Sequence, residues 1–113
     1  MRVRWIAATV ILSGTVTAGC ATGPRNFRAV EDPSGSMRAR AVDLGEKKPD
    51  RVAIPRLIGL LNDTDPVVRM VAHESLKQRT GRDFGYVPWD GEAERAGAVG
   101  EWDRWWASHA EGP

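Results

Sequence analysis

The chain of 113 residues has one cysteine, Cys20, and two histidines, His73 and His109. A single thiol excludes an internal disulfide, and the two distant histidines make no zinc-ligand pattern. Excess charge is lacking too: 16 Lys and Arg stand against 15 Asp and Glu, a formal net charge of +1. Such a balance gives no argument for nucleic acid or for an anionic lipid surface. Catalytic constellations are also missing. His73-Glu74 reads as a solvated pair on an exposed helix face, and Ser34 and Ser36 lack a nucleophile-elbow context. Gly35 belongs to no phosphate-cradling run, and Lys47-Lys48 is a charge pair in a loop. The acid pairs Asp63/Asp65 and Glu92/Glu94 are explained by helix caps and first turns. The sequence therefore points away from an enzyme, with no cofactor, no metal and no small-molecule substrate expected.

What is present begins at the N-terminus. Arg2 and Arg4 precede the short apolar run Trp5-Ile6-Ala7-Ala8-Thr9-Val10-Ile11-Leu12, and the small residues Thr17-Ala18-Gly19 lead into Cys20. That order is a secretory-signal pattern, and the apolar stretch is too short and interrupted for a spanning helix. Thr17-Ala18-Gly19-Cys20 resembles a lipobox, the processing site of bacterial lipoproteins, although Thr17 replaces the commoner leucine. The resemblance implies cleavage before Cys20 and a diacylglyceryl group on its sulfur, usually with a further acyl chain on nitrogen. The competing reading is an ordinary secretory signal that leaves a free thiol. Each buried methylene contributes about 0.8 kcal/mol, so two or three chains hold where one holds only marginally. Without Arg2 and Arg4 the chain carries 14 basic and 15 acidic residues, a net charge of −1. Ala21 follows the cysteine, and the absence of Asp there favours the outer membrane under the usual sorting rule of diderm bacteria.

Residues 20–31 read as the lipidated N-terminus and a tether in which Phe27 and Val30 are available to dock. Residues 32–111 read as one all-α domain of about four helices. The first opens at Asp32-Pro33, with Asp as cap and Pro at the first helical position. It puts Met37, Ala41 and Leu44 on one face and stops at Gly45. The second spans about 50–61, with Ile54, Leu57, Ile58 and Leu61 at amphipathic spacing. Pro55 would lie in or near its first turn, which argues for a start later than Asp50. The third repeats the Asp-Pro opening at Asp65-Pro66, carries Val68, Val71, Ala72 and Leu76, and ends at Arg79-Thr80-Gly81. Residues 82–89 form a loop. The fourth begins after Asp90 and reaches His109, with a break expected near Gly100 because Gly97 and Gly100 each cost roughly 1 kcal/mol.

The two Asp-Pro openings lie 33 residues apart and Leu44 and Leu76 lie 32 apart, which suggests an internal helical repeat. The stretch Ala53-Ile54-Pro55-Arg56-Leu57-Ile58-Gly59-Leu60-Leu61-Asn62-Asp63-Thr64-Asp65-Pro66-Val67-Val68-Arg69 resembles a HEAT repeat. Arg38-Ala39-Arg40-Ala41-Val42-Asp43-Leu44-Gly45 looks like the second helix of a preceding, truncated unit. The resemblance implies that Arg69 and Asp63 or Asp65 brace neighbouring turns. One and a half repeats is fewer than the three or so that bury their own faces, so something must cover the open end.

Trp102, Trp105 and Trp106 stand at i, i+3 and i+4 and share a helical face, which Val99 extends. Trp89 lies in the preceding loop with Tyr86 and Phe84. The segment from Gly85-Tyr86-Val87-Pro88-Trp89 to Trp106 resembles the end of HEAT-like bacterial lipoproteins. Either the indoles cap the last repeat or part of that surface contacts a partner. The sequence thus leads to the expectation of a lipid-anchored, non-enzymatic envelope module that binds or scaffolds an envelope protein. The alternative is a purely structural lipoprotein with no discrete binding site.

Overall fold

The computed structural model describes residues 27–110, and the lipidation site expected at Cys20 lies outside them. A 3-10 turn, Phe27–Glu31, precedes four helices: α1 (Gly35–Leu44), α2 (Asp50–Leu60), α3 (Pro66–Thr80) and α4 (Glu92–His109). There is no strand among the described residues. The protein is all-α, as the apolar periodicity predicts. α3 packs against both α1 and α2, α4 lies on α2, and the 3-10 turn lies on α1. One core joins Phe27 and Val30 from the turn, Ala41 and Val42 from α1, and the apolar faces of the other three helices.

α1 starts later than the Asp32-Pro33 signal suggests. The Asp32 carboxylate accepts the Ser34 N–H at 2.8 Å, which makes a local turn of the Asp side chain, and Ser34 takes the N-cap position. The buried face of α1 is also rotated from the expected one. Ala41 and Val42 are buried, whereas Leu44 is 47% exposed. Gly45 is required for closeness rather than for a left-handed turn, since its φ is −87°. A Cβ there would collide with the ring of Phe27.

α2 begins at Asp50 after all, and Pro55 sits in its interior. Pro55 and Arg51, whose carbonyl the proline leaves unpaired, are both exposed, so water can take that bond. Ala53, Ile54, Leu57, Ile58 and Leu60 are buried on the opposite side, and Leu61 just beyond the helix is buried with them. α3 follows its signals closely. The Asp65 carboxylate accepts the Val67 N–H at 2.8 Å, Pro66 opens the helix, and Gly81 closes it at φ +69°. α4 runs unbroken through Gly97 and Gly100. Burial of Ala98, Val99 and Trp102 on its inner face offsets the glycine cost, because tertiary packing outweighs propensity.

A set of polar contacts recurs at a spacing of 31 residues. Arg38 donates to the Asp32 carbonyl at 2.8 Å, and Arg69 donates to the Asp63 carbonyl at 2.6 Å. The Asp63 carboxylate accepts the Asp65 N–H at 2.9 Å, as the Asp32 carboxylate accepts the Ser34 N–H. Asp32 therefore matches Asp63 rather than Asp65, and the N-caps Ser34 and Asp65 correspond. Ala41 and Ala72 match in complete burial. The spacing of 33 fails because Pro33 precedes one cap while Pro66 follows the other.

Candidate functional site

The loop of residues 81–91 is pinned by hydrogen bonds rather than by regular structure. Phe84 and Gly85 both have positive φ, 56° and 67°, and the Tyr86 N–H reaches the Asp83 carbonyl at 3.4 Å to close the turn. A left-handed phenylalanine is costly, and its ring meets Trp102 edge to face at 4.7 Å. Tyr86 is buried, and its hydroxyl donates to the Leu61 carbonyl at 2.6 Å, satisfying the end of α2. Burial raises the Tyr86 phenol above its ordinary value, with Arg69 and Arg95 pulling it back in part. Arg69, itself buried, donates through Nε to the Pro88 carbonyl at 2.7 Å. The Asp90 N–H bonds the Val87 carbonyl at 3.1 Å, and Arg95 donates to the Asp90 carbonyl.

These bonds fix Val87 and Pro88 and leave Trp89 outside, 74% exposed. Between this loop and α3 runs an apolar groove of about 380 Å³. Met70, Val71, Val87, Pro88 and Trp89 supply its apolar wall, and Met70 is 42% exposed. Glu74, Lys77 and Asp83 line it with charge. Lys77 and Glu74 pair at 2.7 Å, and that bond raises the Lys77 ammonium above its usual value. Partial burial opposes the rise, while the Glu74 and Asp83 charges assist it.

His73 corrects an expectation. It is not on an exposed face but 96% buried, at 4% exposure. The 31-residue register places it where Val42 stands in α1, one position after the fully buried alanine. Its ring lies 4.9 Å from that of Tyr86. Its Nε2 is 3.3 Å from the Asp83 carbonyl and 3.7 Å from the Asp83 carboxylate. Glu74, its neighbour, is exposed as expected. Among the described residues no group of three His, Cys, Asp or Glu is placed to hold a metal ion.

The tryptophans divide unequally. Trp102 is fully buried, and Trp105 and Trp106 are partly buried at the edge of the core. Trp105 meets Trp102 edge to face at 5.8 Å and stacks on His109 at 4.5 Å, while Trp106 lies 6.3 Å from Trp105. The Arg82 guanidinium covers the Trp105 ring at 5.7 Å. The sequence places Phe84, Tyr86 and Trp89 in one loop; the fold sends Phe84 to Trp102, while Tyr86 and Trp89 both line the groove, one buried and one exposed.

Asp63 and Arg69 meet through the Asp63 carbonyl, and Asp65 serves as the cap of α3. The Asp63 carboxylate is taken by Arg38 in two bonds of 2.8 Å. Burial alone would raise the Asp63 carboxyl. The Arg38 bond, the Asp65 N–H and the Arg38 and Arg69 charges together hold it below the ordinary range. Arg38 escapes motif reasoning, although it stands six residues after Asp32 as Arg69 stands six after Asp63. Arg79 is also unforeseen. It donates to the carbonyls of Gly45, Glu46 and Lys48 at 2.8–2.9 Å and to the Asp50 carboxylate at 2.8 Å, tying the α1–α2 turn to the end of α3.

Among the described residues no helix is long and apolar enough to cross a membrane. No family model, no curated protein and no solved structure matches the chain.

Proposed function

We propose that the protein is a lipid-anchored, non-enzymatic helical module of the bacterial cell envelope that binds a protein partner through the groove between α3 and the 81–91 loop. The observation that carries the binding half is Trp89. A tryptophan held outside the core between Pro88 and Asp90, whose backbones are hydrogen-bonded to Arg69 and Arg95, is a large apolar surface in a fixed place. Tryptophan is enriched among binding hot spots and exposed apolar patches mark interaction sites, and Met70 adds an adaptable neighbour. The anchoring half rests on the lipobox-like Thr17-Ala18-Gly19-Cys20. The HEAT-like stretch around 53–69 is in keeping with a scaffolding module, and the bond from Arg69 to the Asp63 carbonyl supports the bracing role that the resemblance implies.

Two experiments test the halves separately. Mass spectrometry of the mature N-terminus should find a diacylglyceryl thioether on Cys20, and C20S should move the protein out of the membrane fraction; an unmodified thiol defeats the anchor. A photo-crosslinking residue at position 89 should give a discrete adduct in intact cells, absent when the same residue replaces exposed Arg40. Identical products from both positions favour the purely structural lipoprotein instead.

A further inference from the structure

The groove carries a charge imbalance beside its exposed indole. Five of its lining residues carry ionisable groups: His73, Glu74 and Lys77 from α3, and Asp83 and Tyr86 from the loop, the Tyr86 hydroxyl being committed to the Leu61 carbonyl. Lys77 and Glu74 neutralise each other at 2.7 Å. The Asp83 side chain is 57% exposed, and among the described residues the ion-pair contact of its carboxylate is buried His73 at 3.7 Å, a counter-charge only when the imidazole is protonated. The nearest basic residue in sequence, Arg82, covers Trp105 and does not line the groove. With histidine counted as neutral, Glu74 and Asp83 against Lys77 leave the groove one negative charge in excess, beside an open indole face and an apolar trough.

Resting on the binding reading above, we infer that the groove takes a peptide segment of a partner protein in which an Arg or Lys adjoins a bulky apolar side chain. The apolar side chain enters the trough between Met70 and Pro88. The cation lies over the Trp89 ring and against Asp83, where ring quadrupole and carboxylate attract it together. Arginine suits the place better than lysine because its plane stacks on the indole. Neither a hydrocarbon surface nor an acidic peptide uses both features. Lipid leaves the Asp83 carboxylate without a partner, and an acidic segment is repelled by it.

The test is selection of a random peptide library against the full chain in detergent, with W89A as the counter-selecting surface. The expected winners carry Arg or Lys next to Leu, Phe or Trp. For one such peptide, W89A should weaken binding about thirtyfold, as for a hot-spot aromatic. D83N should weaken it about threefold, as for an exposed ion pair. Added salt should weaken the wild-type complex and spare D83N. Winners rich in Asp or Glu, or winners without a cation, overturn the inference. So do saturable binding of phosphatidylcholine vesicles through Trp89 and self-association lost in W89A. A cross-linked partner at position 89 together with cation-free winners leaves the binding function intact and removes only this occupant. Cation-bearing winners without any cellular adduct do the reverse.

Discussion

The two arginine brackets use one design and end on different chemistry. Arg38 grips the carbonyl before its own helix and reaches forward to the Asp63 carboxylate, the opening of the next unit. Arg69 grips the matching carbonyl, but its forward partner is the Pro88 carbonyl, in an irregular loop. The first joint is therefore an ion pair that depends on the state of one carboxyl group. The second is a neutral acceptor reinforced by aromatic packing of Phe84 on Trp102. Where Arg38 has a carboxylate ahead of it, Arg69 has a backbone oxygen, and a buried tryptophan packs beside that loop.

The comparison breaks most readily at the second joint. Trp102→Ala should cost about 4 kcal/mol of unfolding free energy, the range for a buried aromatic; a loss below about 1 kcal/mol in urea denaturation would mean that α4 does not seal the core. Arg69→Met should cost about 2–3 kcal/mol, because it leaves the Asp63 and Pro88 carbonyls without their donor. Acid sharpens the first joint. The Asp63 carboxyl sits lower in the folded protein than its unfolded value near 3.9. Its contribution is complete above that value and disappears as pH falls through the lower folded one. Stability measured down an acid series should fall more steeply in wild type than in D63N, and identical slopes would remove Asp63 as the acid-sensitive element. The smallest expected effect is Trp89→Ala, within about 0.5 kcal/mol in the same denaturation, since an exposed ring contributes to contacts rather than to the core.

Much of this fold is written in local signals. The Asp65-Pro66 opening and Gly81 close α3 at both ends, and the Ile54-Leu57-Ile58-Leu61 spacing identifies the buried side of α2. Local signals mislead where distant groups compete for the same residue. Asp32 reads as a cap, but its backbone oxygen is claimed by Arg38 and its carboxylate by Ser34, so the helix starts afterwards. Leu44 reads as core, yet the approach of Phe27 to Gly45 gives that side of α1 to Val42. The groove was the least legible part. Nothing at Trp89 itself separates it from Tyr86 three residues earlier; the hydrogen bond from Tyr86 to Leu61 and the grip of Arg69 on Pro88 are contacts across 25 and 19 residues. His73 was legible in principle, because a register counted from the arginines instead of the prolines aligns it with Val42.

The seat of Phe27 against Gly45 has a geometric consequence for the proposed anchor. Six residues separate Cys20 from Phe27, and a chain of that length spans at most about 25 Å when fully extended. A domain lipidated at Cys20 is then leashed rather than free, sweeping a shallow shell beside the bilayer. The two proposals taken together require the complementary segment to lie close to the lipid headgroups.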